Sequence, residues 1–158
     1  MAILQNQDVI IPAGPVSLNG TLAIPRGACG LVAFAHGSGS SRFSPRNRSV
    51  ARALNRAGFA TLLLDLLTAA ENERDAMTAE FRFDVGLLAR RLTFALNWLA
   101  TQLATRPLPT GLFGASTGAA AALIAAATCR NWCARWSRAG GARISRATHW
   151  NMCAHRRC

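Results

Sequence analysis

The 158-residue sequence contains no tyrosine and no lysine, and only seven of its residues are acidic. The last of these is Asp84, so the chain beyond it has no carboxylate side chain. No apolar run approaches the roughly 20 residues that a membrane-spanning helix needs, and no signal-type segment opens the chain. We therefore expect a cytoplasmic protein without a membrane span or a membrane partner.

The basic residues are concentrated towards the C-terminus. Residues 1–128 carry eleven arginines and all seven acids, a net charge of +4, whereas residues 129–158 carry seven arginines and no acid. Four of the five cysteines, three of the four tryptophans and two of the three histidines also lie in residues 129–158. Since 51% of the residues are hydrophobic, the chain can bury the core of about one domain. We predict the N-terminal part of one domain over residues 1–128 and a separate, poorly ordered basic tail over residues 129–158.

Four apolar segments in the first half of the chain predict β-strands. Residues 9–11 and 16–24 are typical of two antiparallel strands, and Asn19 with Gly20 indicates a turn or bulge inside the second. The continuous apolar runs at residues 30–35 and 59–64 are typical of strands buried on both faces of a parallel sheet.

Helical spacing alternates with these strands. Residues 45–57 predict a helix with Ser44 as its N-cap, and a second helix follows from Asp84 to about residue 103. The polar residues 69–79 are typical of a loop or a frayed helix. This alternation predicts an α/β fold with a doubly wound, mostly parallel sheet and antiparallel N-terminal strands.

A serine stands where a predicted strand turns into a predicted helix. The short apolar strand at residues 111–113 leads into a G-x-S-x-G sequence, Gly114 to Gly118 with Ser116 at its centre, and an alanine-rich run follows. Glycines are expected at its ends because a side chain there would collide with the strand or the helix, and the serine backbone is expected to be strained. The N–H of Thr117, at the start of the helix, can hold a developing oxyanion. The pattern predicts a nucleophile elbow.

Two stretches together resemble the α/β-hydrolase superfamily, and most closely its dienelactone-hydrolase-like branch: LVAFAHGSGSS at 31–41 and GLFGASTG at 111–118. Residues 44–47, 61–68 and 83–84 also resemble that branch, so the likeness covers roughly residues 17–128. It implies a serine hydrolase that cleaves an ester, a lactone or a related acyl bond of a small molecule, without a cofactor, a metal or nucleic acid. The sheet would then be of the α/β-hydrolase type and incomplete at its C-terminus.

The resemblance implies a role for each matching position. Ser116 would be the nucleophile, the N–H of Thr117 one oxyanion donor and the N–H of Ser38 the other. Four further residues would support the elbow and the facing loop: Gly114, Gly118, His36 and Gly37. Both loops would lie at the carboxyl ends of adjacent strands, where open α/β sheets bind ligands.

Other polar residues near these motifs have simpler interpretations. His36 is not the catalytic base in the family pattern, and we expect it to shape its loop. Asp65 ends a strand and is expected to cap the following turn. Arg42 and Arg46 could meet an anionic substrate, although solvated loop arginines are commoner.

The acid and base that should activate Ser116 are missing from their expected places. In α/β hydrolases an Asp or Glu and then a His follow the serine, but no acid follows Ser116 here. Ala147, Thr148 and His149 resemble the family sequence around the base, yet His149 lies only 33 positions beyond Ser116. That interval is too short for the strand–helix units that should intervene. We therefore expect the 158-residue chain to be nearly inactive.

The composition of the tail is typical of translation in a shifted frame. Because Trp and Met have single codons, a shifted reading of residues 131–133 must give Leu-Val, and one of residues 149–151 must give Leu-Glu. With suitable bases at the free positions, residues 130–158 become a strand, a turn and a helix that resemble the family's continuation. Abundant arginine without lysine indicates GC-rich DNA. The hypothesis is that the tail is a frameshift product.

Two other interpretations remain open. If the tail is genuine, its cysteines and histidines could form a zinc site and its arginines and tryptophans could contact nucleic acid. The candidate ligands are Cys129, Cys133, His149, Cys153, His155 and Cys158. Alternatively, an α/β sheet interrupted after its elbow helix would leave an unpaired strand edge and an apolar face, so the chain would associate.

The frameshift hypothesis predicts an extra or missing base near the codons for residues 127–130. Resequencing that DNA from independent isolates should find it. An unambiguous reading without such a change, shared by all isolates, would reject the hypothesis.

Overall fold

A computed structural model describes residues 3–129, which form five strands and four helices. In chain order these are β1 (Ile3–Ala13), β2 (Val16–Pro25), β3 (Gly30–Ala35), α1 (Pro45–Arg56), β4 (Phe59–Leu64), α2 (Ala69–Thr78), α3 (Val85–Thr101), β5 (Thr110–Gly114) and α4 (Thr117–Thr128). The tail predicted for residues 129–158 lies outside the described residues except for Cys129.

The strands form one sheet in the order β1-β2-β4-β3-β5. Strand β2 pairs antiparallel with β1 and with β4, whereas β3 pairs parallel with β4 on one side and β5 on the other. The predicted α/β class and the antiparallel N-terminal strands are confirmed.

The prediction of a turn or bulge at Asn19 and Gly20 was wrong. Both residues lie inside a regular β1–β2 ladder, with Gly20 opposite Val9. The space at Gly20 is tight, because an added Cβ would lie 3.1 Å from Leu62 Cδ1 and 3.2 Å from Val9 Cγ2 and would require these side chains to shift. The chain reverses instead at Gly14, whose φ of +71° is a conformation that glycine adopts at little cost.

Helices cover both faces of the sheet. Every residue of β3 is buried, and the side chains of this strand alternate between two apolar clusters, one on each face. Val32 and Phe34 pack with Ala51 of α1 on one face. Leu31 and Ala33 belong to the larger cluster on the other face, together with buried residues of α3 and α4. The sheet is therefore doubly wound, as predicted.

Two of the predicted helix starts are confirmed. The Ser44 hydroxyl accepts a hydrogen bond from the Asn47 N–H at 3.4 Å, and the Asp84 carboxylate accepts one from the Leu87 N–H at 2.8 Å. Each side chain pairs a donor of the first turn that has no partner within the helix.

The residues predicted as a loop or frayed helix form the regular helix α2. Its start is a capping box: the Thr68 hydroxyl accepts from the Glu71 N–H at 3.2 Å, and the Glu71 carboxylate accepts from the Thr68 N–H at 2.8 Å. The helix ends at Ala79, which adopts a left-handed conformation with φ +55°.

The connections after β3 run to opposite sides of that strand. The chain passes through α1 to β4 on one side, and then through α2 and α3 to β5 on the other. The loops that follow β3 and β5 therefore meet at the carboxyl edge of the sheet, at a topological switch point where open α/β sheets bind ligands. In residues 3–129, no helix is both long enough and apolar enough to cross a bilayer.

Replacement of Leu92 by Ala should destabilise the fold by about 2–5 kcal/mol, because Leu92 is fully buried in the larger cluster and its loss leaves a cavity. The matched control is Leu123→Ala on α4, where the side chain is 74% exposed and the expected change is within about 0.5 kcal/mol. Urea unfolding measures both. Equal changes in the two variants would contradict the assigned packing.

Candidate active site

Ser116 occupies a sharp corner between β5 and α4. Its backbone has φ +54° and ψ −128°, a left-handed conformation that a residue with a side chain adopts only at a cost of about 1–3 kcal/mol. The residue is solvent-exposed, and α4 starts directly after it at Thr117. The predicted strand, turn and helix are thus present, with the serine at the bend.

Two glycines allow the close contacts of this corner. A Cβ on Gly114 would lie 2.5 Å from the Gly118 carbonyl oxygen and 2.7 Å from Ala119 Cα. A Cβ on Gly118 would overlap the carbonyl oxygens of Ala35 and His36 at the end of β3. Because these neighbours are backbone atoms, they cannot move aside as a flexible side chain could, and only glycine fits at either position.

The loop after β3 lies directly against the corner. A Cβ on Gly37 would be 3.0 Å from the Ala115 carbonyl oxygen and 3.3 Å from Ser116 Cβ. The structure therefore brings Gly37 and Ser116 together, as expected for the two loops at the switch point.

The first turn of α4 leaves one backbone donor for a ligand. The N–H groups of Gly118, Ala119 and Ala120 hydrogen-bond to carbonyl oxygens of Ala115 and Ser116. The Thr117 N–H is the first of the helix and has no intrahelical acceptor. It lies at the positive end of the helix dipole, next to the exposed serine, where it can bind a developing negative charge.

Ser38 lies in the loop that faces this donor. A turn in which the Ser40 N–H donates to the Gly37 carbonyl oxygen at 3.2 Å encloses Ser38. Among residues 3–129, no acceptor is recorded for the Ser38 N–H. Ser38 and Thr117 both line a small cavity at the corner. The residues of the two predicted donors therefore border the same space.

That cavity is small, at about 10 Å³, close to the least volume that admits one water molecule. It is also lined by Asn72, Asp75 and Arg82 from α2 and the segment after it. It is too small for an acyl substrate, which would have to approach Ser116 from its exposed side.

The buried Asp75 forms an ion pair with the partly exposed Arg82 beside this cavity. Burial by itself would raise the pKa of Asp75, but hydrogen bonds from the N–H groups of Arg82 and Phe81 and from the Arg82 guanidinium hold that pKa below its ordinary value. The carboxylate of Asp75 therefore holds the segment after α2 against that helix through these hydrogen bonds. Its acceptor oxygens are used within that segment, so it orders the wall of the cavity.

His36 shapes the loop after β3, as expected. The side chain is 5% exposed; Nδ1 contacts the Gly37 carbonyl oxygen at 2.9 Å, and Nε2 lies 3.0 Å from the Leu66 N–H. A carbonyl can only accept and an N–H can only donate, so the partners assign the proton to Nδ1 and the lone pair to Nε2. Both ring nitrogens are engaged away from Ser116.

Two expectations about side chains near the loop were wrong. Arg42 is not a solvated loop arginine: its side chain is 13% exposed, and Nη1 lies 3.2 Å from Asp65 Oδ2. Asp65 does not cap the following turn but accepts from the Arg42 N–H at 2.7 Å. The pair ties the loop after β3 to the end of β4.

The described residues hold no imidazole with a free ring nitrogen beside Ser116. His36 is the only histidine in residues 3–129, and His149 lies outside the described range. Within residues 3–129 no group of three or more His, Cys, Asp or Glu side chains could hold a metal ion. Apart from Cys129, the tail ligands proposed for zinc also lie outside the described residues.

A solved dienelactone hydrolase from Anabaena variabilis matches this architecture with a TM-score of 0.79 and 56% sequence identity, over 80% of this chain and 59% of that one. The described part of the chain has the α/β-hydrolase fold and is similar in sequence to this dienelactone hydrolase. An α/β hydrolase from Penicillium sp. sh18 shares the fold, with a TM-score of 0.64 and 20% identity over 78% of this chain and 42% of that one. No family model matches the chain.

The chain also matches two curated proteins from two strains of Mycobacterium tuberculosis, both named as candidate phosphoribosyl transferases. Identity is 56% over 124 residues, which is 78% of this chain but 27% of each relative. Because the chain spans about a quarter of these relatives and 59% of the Anabaena hydrolase, their names alone do not assign its activity.

Gly118→Ala should destabilise the fold by about 1–3 kcal/mol or more, because the new methyl group overlaps two backbone carbonyls. Gly111→Ala is the matched control in β5, where the nearest contact of an added Cβ would be 3.9 Å away, at the Leu31 carbonyl oxygen. Urea unfolding of the two variants tests the close approach of Gly118 to the carbonyl oxygens at the end of β3. A Gly118→Ala variant as stable as Gly111→Ala would contradict it.

Proposed function

We propose that the chain carries the nucleophilic half of a serine hydrolase that acts on an ester, a lactone or a related acyl bond. The observation that supports this most strongly is the exposed Ser116 in a left-handed backbone conformation at a strand-to-helix corner. In this proposal Ser116 is the nucleophile, and the N–H groups of Thr117 and Ser38 form the oxyanion hole.

The reaction follows from these positions. The Ser116 oxygen attacks the acyl carbon, the carbonyl π electrons move to its oxygen, and the two N–H groups stabilise the resulting oxyanion. Collapse of this intermediate expels the alcohol, which must receive a proton, and leaves an acyl-serine for water to hydrolyse. The chemistry requires no cofactor, but it does require a base to take the serine proton.

The proposed substrate is a small acyl compound. The Anabaena protein that is 56% identical to this chain is named a dienelactone hydrolase, which supports an ester or lactone bond as the target. We propose that any phosphoribosyl transfer by the mycobacterial relatives resides in the remaining part of those longer proteins. The cytoplasm is the proposed location.

The 158-residue chain is proposed to be nearly inactive. No acid follows Ser116, and the described residues hold no free imidazole beside it. Enzymes of this type that lose a triad member keep only about 10³–10⁴-fold catalysis over water, supplied by the oxyanion hole and substrate binding. In this proposal residues 129–158 are a separate basic tail that arises from a shifted reading frame. The alternative is that this tail is genuine and binds zinc or nucleic acid.

Fluorophosphonate labelling tests the proposed nucleophile. The folded chain should react slowly, only at Ser116, because the oxyanion donors are in place but no base assists; Ser116→Ala should abolish the adduct. Mass spectrometry of digested protein over a time course measures the site and the rate. Labelling as fast as that of a complete serine hydrolase would contradict the proposal that the chain lacks a base for Ser116. Equal labelling rates in the folded protein and in urea would contradict the proposal that the strand-to-helix corner promotes the reaction of Ser116.

A further inference from the structure

A partly buried ion pair is connected to the loop that holds Ser38, with side chains 6% and 19% exposed. Arg91 of α3 is 5% exposed. Its guanidinium donates two hydrogen bonds to the Glu71 carboxylate of α2, from Nη1 to Oε2 at 2.6 Å and from Nη2 to Oε1 at 2.5 Å. The Arg91 hydrogen bonds hold the pKa of Glu71 below its ordinary value. A bidentate pair of this kind fixes orientation as well as charge.

This pair is joined to the Ser38 loop through one peptide. Arg91 Nη1 also donates to the Leu66 carbonyl oxygen at 2.9 Å, and the Leu66 N–H donates to His36 Nε2 at 3.0 Å. Leu66 itself is fully buried in the loop after β4. Both polar groups of this residue are therefore held, one by the ion pair and the other by the imidazole.

The chain of contacts ends at the proposed oxyanion donor. Because the Leu66 N–H occupies Nε2, the His36 proton must lie on Nδ1, where it is donated to the Gly37 carbonyl oxygen at 2.9 Å. That bond orients the peptide group between Gly37 and Ser38, whose N–H is the proposed donor. From the guanidinium to this peptide, every link is a hydrogen bond among buried or partly buried atoms.

We propose that the Arg91–Glu71 pair is a positioning device that sets the tautomer of His36, and through it the direction of the Ser38 N–H. The proposal rests on the proposed function only for its consequence in catalysis. The pair contacts no reacting atom. It acts by fixing Leu66, which in turn fixes the imidazole.

Nuclear magnetic resonance of the ¹⁵N-labelled 158-residue protein tests the positioning directly. In Arg91→Met, hydrogen exchange at the Leu66 amide should accelerate about tenfold or more, the effect expected when a buried hydrogen-bond network loses a member. The amide of Leu62 in β4 should change much less. The ¹⁵N shifts of the His36 ring should move from those of a Nδ1–H imidazole towards a mixture of tautomers.

Two further variants separate this role from general destabilisation. Glu71→Gln retains the shape of the partner but removes its charge, and it should shift the same signals in the same direction by less; it decides the matter if Arg91→Met does not fold. Arg74→Met removes the exposed Arg74–Glu80 pair, whose side chains are 62% and 45% exposed, and should leave these signals unchanged. Unchanged His36 and Leu66 signals in the folded variants, or an equal change at Leu62, would overturn the proposal.

Fluorophosphonate labelling tests whether the positioning by the Arg91–Glu71 pair affects the reactivity of Ser116. If Ser116 is the nucleophile, Arg91→Met should slow its labelling about tenfold or more relative to Arg74→Met, because a displaced oxyanion donor costs about 10²–10³ in rate. Equal labelling rates in these two variants would overturn the catalytic consequence of the pair. A parent chain that is never labelled would reject the proposed function, whereas the exchange and shift data would still decide whether the pair positions His36.

Discussion

The close approach of α4 to the end of β3 is the contact on which the candidate site depends. Gly118 lies so near the carbonyl oxygens of Ala35 and His36 that no side chain fits between them, and Gly37 meets the serine corner from the facing loop. These are contacts between backbone atoms. The position of the serine is therefore set mainly by the close approach of backbone segments at the end of the sheet.

The parts of the fold that could be predicted from the sequence have local causes. Runs of apolar residues marked β3 and β4, capping residues marked the starts of α1 and α3, and the glycine spacing around Ser116 marked the corner. Each signal depends on neighbours within a few positions, so the sequence displays it directly. The capping box of α2 was equally local, with Thr68 and Glu71 three residues apart. The charged residues beyond it favour a loop, however, and this opposing signal explains why the sequence predicts no regular helix there.

The parts that could not be predicted depend on contacts between distant positions. Gly20 was interpreted as a turn residue because glycine favours turns, but here it makes room for Leu62, a residue on another strand. Arg42 and Asp65 are 23 positions apart, and Arg91 and Glu71 are 20 apart. Nothing in the spacing of such residues reveals that they pair. The arrangement of side chains behind the Ser38 loop therefore required the structure.

The left-handed backbone at Ser116 has a consequence for how this chain can change. A glycine at this position would remove the unfavourable dihedral angles of the folded state. The cost that remained would be the larger conformational entropy that glycine loses on folding. Selection for robustness alone would thus tend to erase the hydroxyl, and selection for acyl chemistry would have to oppose that drift. A serine retained at this bend in related chains would then be a record of past catalytic use.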